Sequence, residues 1–359
     1  MKRMEIQPEA VELAKKFTVS DPQLGFGKYM APIMVQSWYK EGVWSTPKLM
    51  PYGMIALDPC AKVLHYAQEI FEGMKAYRHP MGDINLFRPE LNARRFNFSA
   101  RRMAMPEFPE EMFIESVATI SAYCHQIVPK RLGESLYIRP FMIATEKGLG
   151  IKPAKEFLFC AVASPSGNYF VNPNVRVYVE RDEVRAATGG IGAAKAGGNY
   201  AASLSSYART LHEDCDQTLW LDSKERKYVE EMSGMNFFAV VKGELITPPI
   251  SDSILDGITR RSLIELARSK GYTVKEERIN IDYLIEHIKK NECTEAFICG
   301  TASVLVPVAS FKLKSGEVFS VSEPNGKISL ALKDELTQIQ GGRIDAPQGW
   351  LHKVPKIDF

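Results

Sequence analysis

A glycine-rich segment with a single lysine limits what this chain can fold into more than any other stretch. Residues 189–200 read GGIGAAKAGGNY, with five glycines, three alanines and one lysine, Lys195. Small side chains let the backbone pass close to a flat or charged partner. A β-like run, VRVYV at 175–179, precedes the segment, and a helix-like run at 201–211 follows it. A loop between two ordered elements is a typical place for catalytic groups, and a lone lysine there indicates an amine that forms a Schiff base.

Length and composition narrow the class of protein. A chain of 359 residues predicts two domains. The 45 basic and 43 acidic residues give a net charge of +2 without long runs of one sign, which argues against nucleic acid or a membrane as the main partner. The six cysteines form no CxxC pair and no zinc spacing with the six histidines, so we expect no metal site and reduced thiols in a cytoplasmic protein.

The domain boundary is predicted from one loop-like segment. Residues 164–174, SPSGNYFVNPN, concentrate Pro, Gly, Ser and Asn and are predicted to be an interdomain linker. A smaller N-terminal domain would then span 1–163, and a larger C-terminal domain with the lysine would span 175–359.

Strand-like and helical runs are mixed in both halves, which indicates an α/β or α+β fold. Asn92 is expected to cap a helix.

Three features are weak signals for an anion site when each is taken alone. Gly257, Ile258 and Thr259 open a predicted helix, where free N–H groups can bind a dianion, although such a sequence is commonly a turn and a cap. Thr301 lies in a similar small-residue turn. Arg95 can pair a phosphate through its planar guanidinium, or it can be a solvated helix residue.

Two further patterns point to a substrate pocket and a buried acid. Tyr137 and Arg139 alternate on a predicted strand, so both lie on one face, where an arginine beside an aromatic ring suits a carboxylate in an apolar pocket. Glu230 and Glu231 form an acidic pair before Met232. A solvated turn is the other reading of that pair.

Several motifs together make the chain similar to a known family. KAGGNY, with LHYAQEIFEGMKAY, LFRPELNARRF, EEMSGMN, LDGITRRS and ICGTAS, resembles the branched-chain amino acid aminotransferases. These are pyridoxal 5'-phosphate (PLP) enzymes of the D-amino acid aminotransferase-like fold, fold type IV. The resemblance extends from about residue 25 to about residue 307 and implies a two-domain mixed α/β fold.

The resemblance also implies roles for individual residues. Lys195 would form the Schiff base with PLP, Glu231 rather than Glu230 would hold the ring nitrogen, and Tyr200 would bind the phenolic oxygen. The phosphate would be bound by Arg95, Ile258, Thr259 and Thr301. The substrate would be bound by Tyr66, Phe71, Tyr137, Arg139, Tyr169 and Ala302. Glu230 is expected to face solvent.

The activity implied is reversible transfer of the amino group of leucine, isoleucine or valine to 2-oxoglutarate, in branched-chain amino acid biosynthesis or degradation. A homodimer with active sites near the subunit interface is implied as well. Some animal members carry a CxxC pair after the threonine of the GTA turn, but here Ser303 and Val306 occupy those positions.

Four alternatives remain open at this point. Two are enzymes of the same fold, a D-amino acid aminotransferase and an aminodeoxychorismate lyase. The third is a PLP-carrying or partner-binding protein without turnover. The fourth is a nucleotide-binding module, which the glycine spacing disfavours because no Ser or Thr follows Lys195.

Overall fold

The computed structural model describes residues 4–21, 23–167, 169 and 172–357. The chain divides into two compact units. One comprises residues 1–169, 194–197 and 338–359, and the other comprises residues 170–193 and 198–337. No helix in the described part of the chain is long and apolar enough to cross a membrane.

The first unit is built on one sheet with helices against it. Its elements are β1 (Glu5–Ile6), α1 (Pro8–Lys16), β2 (Ile33–Lys40), β3 (Val43–Trp44), β4 (Lys48–Pro51), α2 (Lys62–Tyr66), β5 (Glu69–Phe71), β6 (Met74–Arg78), β7 (Ile84–Phe87), α3 (Pro89–Arg102), α4 (Glu110–Tyr123), β8 (Ser135–Ala144), β9 (Phe157–Ser166) and, at the C-terminal end of the chain, β19 (Leu351–Lys353).

The strand order of this sheet is β1-β4-β2-β9-β8-β6-β7-β19, with β3 beside β2 and β5 beside β8. Strand β9 is a continuous apolar run, FLFCAVA, because both of its faces are covered. Phe159 on this strand stacks on Phe108 at 3.9 Å and meets Phe96 of α3 and Phe113 of α4. Large rings therefore fill the space between the sheet and these helices.

The pairing along β8 is interrupted between β5 and β6, next to the candidate site. Strands β5 and β6 both pair with β8, Phe71 opposite Phe141 and Met74 opposite Ile138. Glu72 and Gly73 lie between the two strands and leave the regular ladder. Because the ladder breaks there, the side chain of Glu72 can accept hydrogen bonds from residues of α3.

The second unit contains a closed ring of strands. Its elements are β10 (Val175–Glu180), α6 (Leu204–His212), β11 (Gln217–Leu221), β12 (Val229–Met232), β13 (Asn236–Val241), β14 (Glu244–Thr247), α7 (Ile258–Ser269), β15 (Val274–Glu276), α8 (Ile281–Lys289), β16 (Cys293–Gly300), β17 (Val304–Lys312) and β18 (Val318–Ser320), while α5 (Gly197–Ala201) and α9 (Lys327–Gln340) each have residues in both units.

The order β12-β11-β10-β17-β16-β13 closes on itself because β12 also pairs with β13. Alternate side chains of the ring, including Val177, Leu219, Phe237 and Ile298, are buried together. Helix α8 shows why the sequence folds locally as it does. Asn280 caps it by accepting from the N–H groups of residues 282 and 283, and its residues 281, 284, 285 and 288 are buried at helical spacing.

The structure differs from two local predictions. Helix α3 begins at Pro89, not at Asn92, because a proline suits the first turn of a helix, and Asn92 instead donates its side-chain N–H to Glu72. The helical run predicted over 201–211 is interrupted at residues 202–203. Residue 201 is the last residue of α5, and residues 204–211 belong to α6.

The observed units also differ from the predicted domain boundaries at 163 and 175. Strand β9 continues to Ser166, and the C-terminal strand β19 pairs with β7, which places residues 338–359 in the first unit. Residues 194–197, with Lys195, also belong to the first unit. Asn168, Phe170 and Val171 of the predicted linker lie outside the described residues.

Candidate active site

The main chain of Lys195 is fixed at both of its hydrogen-bonding groups. Its N–H donates to the hydroxyl of Ser99 on α3 over 2.9 Å, and its carbonyl accepts from the N–H of Phe71 on β5, also over 2.9 Å. The side chain is half-buried, with Nζ 4.8 Å from the centroid of the Phe71 ring. The amine is therefore presented beside an aromatic face by a backbone that cannot shift without losing two hydrogen bonds.

Gly197 lies where the loop that carries Lys195 passes the carboxylate of Glu69, and a larger residue would not fit there. A Cβ at Gly197 would overlap the carboxylate of Glu69, which accepts the Gly197 N–H. Burial raises the pKa of the Glu69 carboxyl, while that N–H and the charge of Arg139 act in the opposite direction. The sequence arguments missed Glu69, although its position in LHYAQEIF, two residues before Phe71, puts both side chains on one face.

Four of the predicted substrate residues belong to one cluster. Arg139 donates to the Tyr137 hydroxyl at 2.7 Å, and its guanidinium lies 4.7 Å from the Phe71 ring centroid and 5.3 Å from that of Tyr137. Phe26 contacts Tyr137 at 4.7 Å and Tyr169 at 5.0 Å between ring centroids. The structure thus places Tyr137 and Arg139 on one face, as the strand alternation predicts, and adds Phe26.

The guanidinium of Arg139 is held mainly by aromatic faces. Its Nε is buried and has no hydrogen-bond partner within the described residues. A guanidinium that lies against aromatic rings and has an unused N–H donor is suited to bind an incoming carboxylate. A charge-assisted hydrogen bond to the carboxylate would add to the attraction of the rings.

Tyr66 has different neighbours from the other predicted pocket residues. It lies at the end of α2 with 38% of its surface exposed, and its hydroxyl donates to the carbonyl of Leu149. Helix α2 is further tied to the same loop by Lys62, whose buried ammonium pairs with Glu146 at 2.8 Å and donates to the carbonyl of residue 152 at 3.2 Å.

Arg95 is paired with a buried carboxylate. Its Nε and one terminal nitrogen donate to Glu72 over 2.7 and 2.8 Å, and Asn92 donates to the same carboxylate over 2.8 Å. Glu72 has no exposed surface. The bidentate contact fixes the plane of the guanidinium. Glu72, in the FEG part of the sequence, is a second residue that the site prediction missed.

In the second unit, Glu231 is the centre of a buried polar group. One of its oxygens lies 2.5 Å from a terminal nitrogen of Arg185 and accepts the Leu255 N–H at 3.2 Å, and its other oxygen accepts from Asn236 at 2.9 Å. Both side chains of the ion pair are 4% exposed or less. Arg185, ten residues before Lys195, had no motif to mark it in the sequence.

The expectation that Glu230 faces solvent is wrong. Glu230 is 8% exposed, and its Oε1 accepts from the hydroxyl of Ser253 at 2.5 Å. Burial raises the pKa of the Glu230 carboxyl, opposed by that hydrogen bond and by the charge of Arg185. A ring of strands buries both faces of β12, so neighbouring acids on this strand are both enclosed.

The predicted phosphate residues of this unit lie at two chain turns. Helix α7 begins at Ile258, with Thr259 buried in its first turn, and its N-cap is Gly257, which supplies no side-chain acceptor. A side chain at Gly257 would overlap the amide of Asn236. A helix start without a side-chain cap is suited to an anion.

Thr301 and Ala302 form the turn between Gly300, the last residue of β16, and Val304, the first of β17. The turn packs against Met235, whose Cγ would lie 3.1 Å from a Cβ at Gly300. Tyr200 lies on α5, with its ring 3.6 Å from the position of a Cβ at Gly234. Glu231, Ile258, Thr259, Thr301 and Tyr200 are therefore all found in the second unit.

Comparison with known proteins shows strong similarity. Residues 69–311 match the amino-transferase class IV family. A branched-chain-amino-acid aminotransferase of Mycolicibacterium smegmatis is 47% identical over 355 residues, 96% of this chain and 95% of that protein. The branched-chain-amino-acid transaminase 1 of Bacillus subtilis is 44% identical over 339 residues, 93% of this chain and 95% of that protein.

Solved structures agree with the sequence matches. The T.th. branched-chain amino acid aminotransferase complexed with N-(5'-phosphopyridoxyl)-L-glutamate has a TM-score of 0.73 and 27% identity, over 89% of this chain and 98% of that chain. The predicted family and the fold type IV class are thereby confirmed.

Contact between Gly73 and Tyr137 gives a test of the substrate cluster. A Cβ at Gly73 would overlap the Tyr137 hydroxyl. We expect Gly73→Ala to lower the free energy of unfolding by about 1–3 kcal/mol, as overpacking does. In a Tyr137→Phe background the loss should be smaller, because the overlapping atom is gone. Urea denaturation of the four proteins measures this coupling.

Gly53→Ala is the matched control, since a Cβ at that glycine meets no atom within 4 Å. Equal losses for Gly73→Ala in both backgrounds would contradict the packing of Gly73 on the tyrosine hydroxyl.

Proposed function

We propose that this chain, which belongs to the branched-chain-amino-acid aminotransferases of aminotransferase class IV, transfers the amino group of leucine, isoleucine or valine to 2-oxoglutarate. The products are the branched-chain 2-oxo acid and glutamate, and the reaction is reversible. The observation that carries the proposal is the clamped backbone of Lys195 beside Phe71, together with the Arg139–Tyr137 pair of the same unit. The 47% identity to a named relative supports it.

The residues present fit PLP. When bound, this cofactor supplies a carbonyl that condenses with an amine and a ring that accepts electrons from the substrate Cα. The uncapped start of α7 suits its phosphate, and the buried acid Glu231 suits its protonated ring nitrogen. We propose that the groups holding it are Lys195, Arg95, Tyr200, Glu231, Ile258, Thr259 and Thr301.

Lys195 has two tasks in this proposal. Its Nζ would be the covalent attachment point of PLP, and the same amine would be free to carry a proton once the substrate amine has replaced it. The free Nζ would accept the proton from the substrate Cα and deliver it to the cofactor carbon C4′, as base and then as acid. Fixing the backbone at Ser99 and Phe71 keeps this short proton transfer in range.

Glu231 and Arg95 act by charge. The negative carboxylate favours a proton on the ring nitrogen, because opposite charges at hydrogen-bonding distance stabilise the charged form of both groups. Glu72 fixes the plane of the Arg95 guanidinium, which would pair with the phosphate. Tyr200 donates to the phenolic oxygen.

The substrate residues explain how one pocket accepts two kinds of side chain. The rings of Phe71, Tyr137 and Tyr169, with Tyr66, give apolar walls for leucine, isoleucine or valine. Arg139 stacks on those walls and binds the distal carboxylate of glutamate or 2-oxoglutarate. Backbone N–H groups at Thr301–Ala302 bind the α-carboxylate.

We also propose a homodimer located in the cytoplasm. The support for an interface is a set of exposed apolar side chains on α2 and on the loop tied to it: Leu64 at 59%, Leu149 at 61% and Ile151 at 89%. Exposed apolar patches of this kind mark interaction sites. The six cysteines are free thiols, which agrees with a reducing compartment such as the cytoplasm.

The central prediction concerns Lys195. Lys195→Ala should abolish the absorption band of covalently held cofactor and reduce kcat by at least about a thousandfold, because both the attachment and the proton transfer need this amine. Lys195→Arg is the matched control for charge, and it should fail equally since a guanidinium does not condense. Wild-type turnover of leucine by either variant would rule out the assignment.

A second prediction concerns Arg139. Arg139→Ala should reduce kcat/KM for glutamate and 2-oxoglutarate roughly ten- to a hundredfold more than for leucine, because leucine has no carboxylate for it to bind. Tyr137→Phe removes only the hydrogen bond to Arg139 and should produce a smaller change of the same sign. Equal losses for both substrates would show that Arg139 is structural.

The dimer can be tested by complementation. If each active site includes residues of two subunits, mixing Lys195→Ala with an inactive Tyr66 variant should restore some activity once subunits exchange. Each variant mixed with itself is the control. Absence of rescue, with exchange verified by mass measurement, would argue that each site is built within one chain.

A further inference from the structure

Arg185 is a buried cation that no role above accounts for. Its side chain is 3% exposed, and a terminal nitrogen lies 2.5 Å from Glu231. The same nitrogen donates to the carbonyls of Ser253 at 2.5 Å and Gly192 at 3.3 Å. Its Nε is buried without a hydrogen-bond partner in the described part of the chain. A guanidinium so placed depends on a nearby negative charge.

Two carboxylates, those of Glu230 and Glu231, lie near Arg185, and they differ in the number of hydrogen bonds they accept. Glu231 receives the ion pair, the Asn236 amide and the Leu255 N–H. Glu230 receives the Ser253 hydroxyl on Oε1, while its Oε2 is buried and has no hydrogen-bond partner within the described residues. Donors stabilise an ionised carboxylate, and burial without donors favours a protonated one.

One cation among two buried acids can compensate only one negative charge. A second buried anion would carry the full cost of leaving water. The raised pKa of Glu230, caused by burial, agrees with the proton residing there. Glu231 is then the ionised acid, and removing Arg185 would leave it as an uncompensated buried charge that takes up a proton.

We propose that Arg185 is a positioning residue of the reaction: its guanidinium, which pairs with one oxygen of Glu231, keeps that carboxylate ionised and thereby holds the proton on the cofactor ring nitrogen. This inference rests on the proposed function, because it needs Glu231 at that nitrogen. Arg185 itself acts only through Glu231.

The test is made on the holoenzyme loaded with cofactor labelled with ¹⁵N in the ring. The ¹⁵N resonance reports the protonation of that nitrogen directly. Arg185→Met should move it toward the unprotonated position, as should Glu231→Gln, while Arg185→Lys should move it less. We expect kcat for leucine to fall on the order of tenfold or more in Arg185→Met, with KM changed much less.

Arg209→Met is the matched control. Arg209 pairs with the buried acid Glu180 at 2.5 Å in the same unit but touches no proposed site residue. Its loss should leave the ¹⁵N resonance unchanged. An unchanged resonance in Arg185→Met would overturn the proposal.

A double-mutant cycle separates action through Glu231 from a general loss of structure. In the Glu231→Gln background, Arg185→Met should change neither the resonance nor kcat further. An equal fall in both backgrounds would overturn the proposal. If Arg185→Met folds poorly, the double variant should recover stability in urea denaturation of the apoprotein, because the uncompensated carboxylate is gone. No recovery would contradict the ion pair as its basis.

Failure of the proposed function gives a different result. In that case the wild-type protein would show no covalently held cofactor and no amino transfer. A wild-type enzyme with a protonated ring nitrogen that Arg185→Met leaves intact would instead refute the role of Arg185 alone.

Discussion

The two backbone hydrogen bonds of Lys195 are the contacts on which the proposed site residues of the first unit depend. Ser99 on α3 and Phe71 on β5 hold the N–H and the carbonyl of one residue in a loop of small side chains. A catalytic lysine has a long, flexible side chain, so its usefulness depends on how firmly its Cα is held. Strand β5, which donates the Phe71 N–H to this loop, also places the Phe71 ring next to the Lys195 amine and the Arg139 guanidinium.

Buried arginine–carboxylate pairs orient the proposed cofactor-binding residues in each unit. Arg95 is fixed by Glu72 in the first unit, and Arg185 fixes Glu231 in the second. Breaking such a pair is costly because a charge is left without compensation, whereas the intact pair contributes little net stability. Their value is therefore in orientation: a bidentate contact fixes the plane of the Arg95 guanidinium against Glu72, and a terminal nitrogen of Arg185 holds one oxygen of Glu231.

The proposed substrate pocket places one positive charge, that of Arg139, among aromatic rings. Arg139 lies against two aromatic rings and hydrogen-bonds to the Tyr137 hydroxyl. In the proposed function, the rings stabilise this cation when an apolar side chain is bound, and its N–H donors bind a carboxylate when glutamate is bound. Glu69, which accepts the Gly197 N–H, lies near this cation and links Arg139 to the lysine loop.

The sequence determined the local chemistry: the lysine in its small-residue loop, the family, and the shared face of Tyr137 and Arg139, because these follow from residue type and strand alternation. It did not determine which charges pair. Arg185 and Glu231 are 46 positions apart in the sequence, and only the strand ring brings them together and buries Glu230 beside them. Likewise Lys195 and β19 pack in the first unit because hydrogen bonds to distant elements hold them there. Burial and long-range pairing depend on the whole fold, so no pattern of nearby residues encodes them.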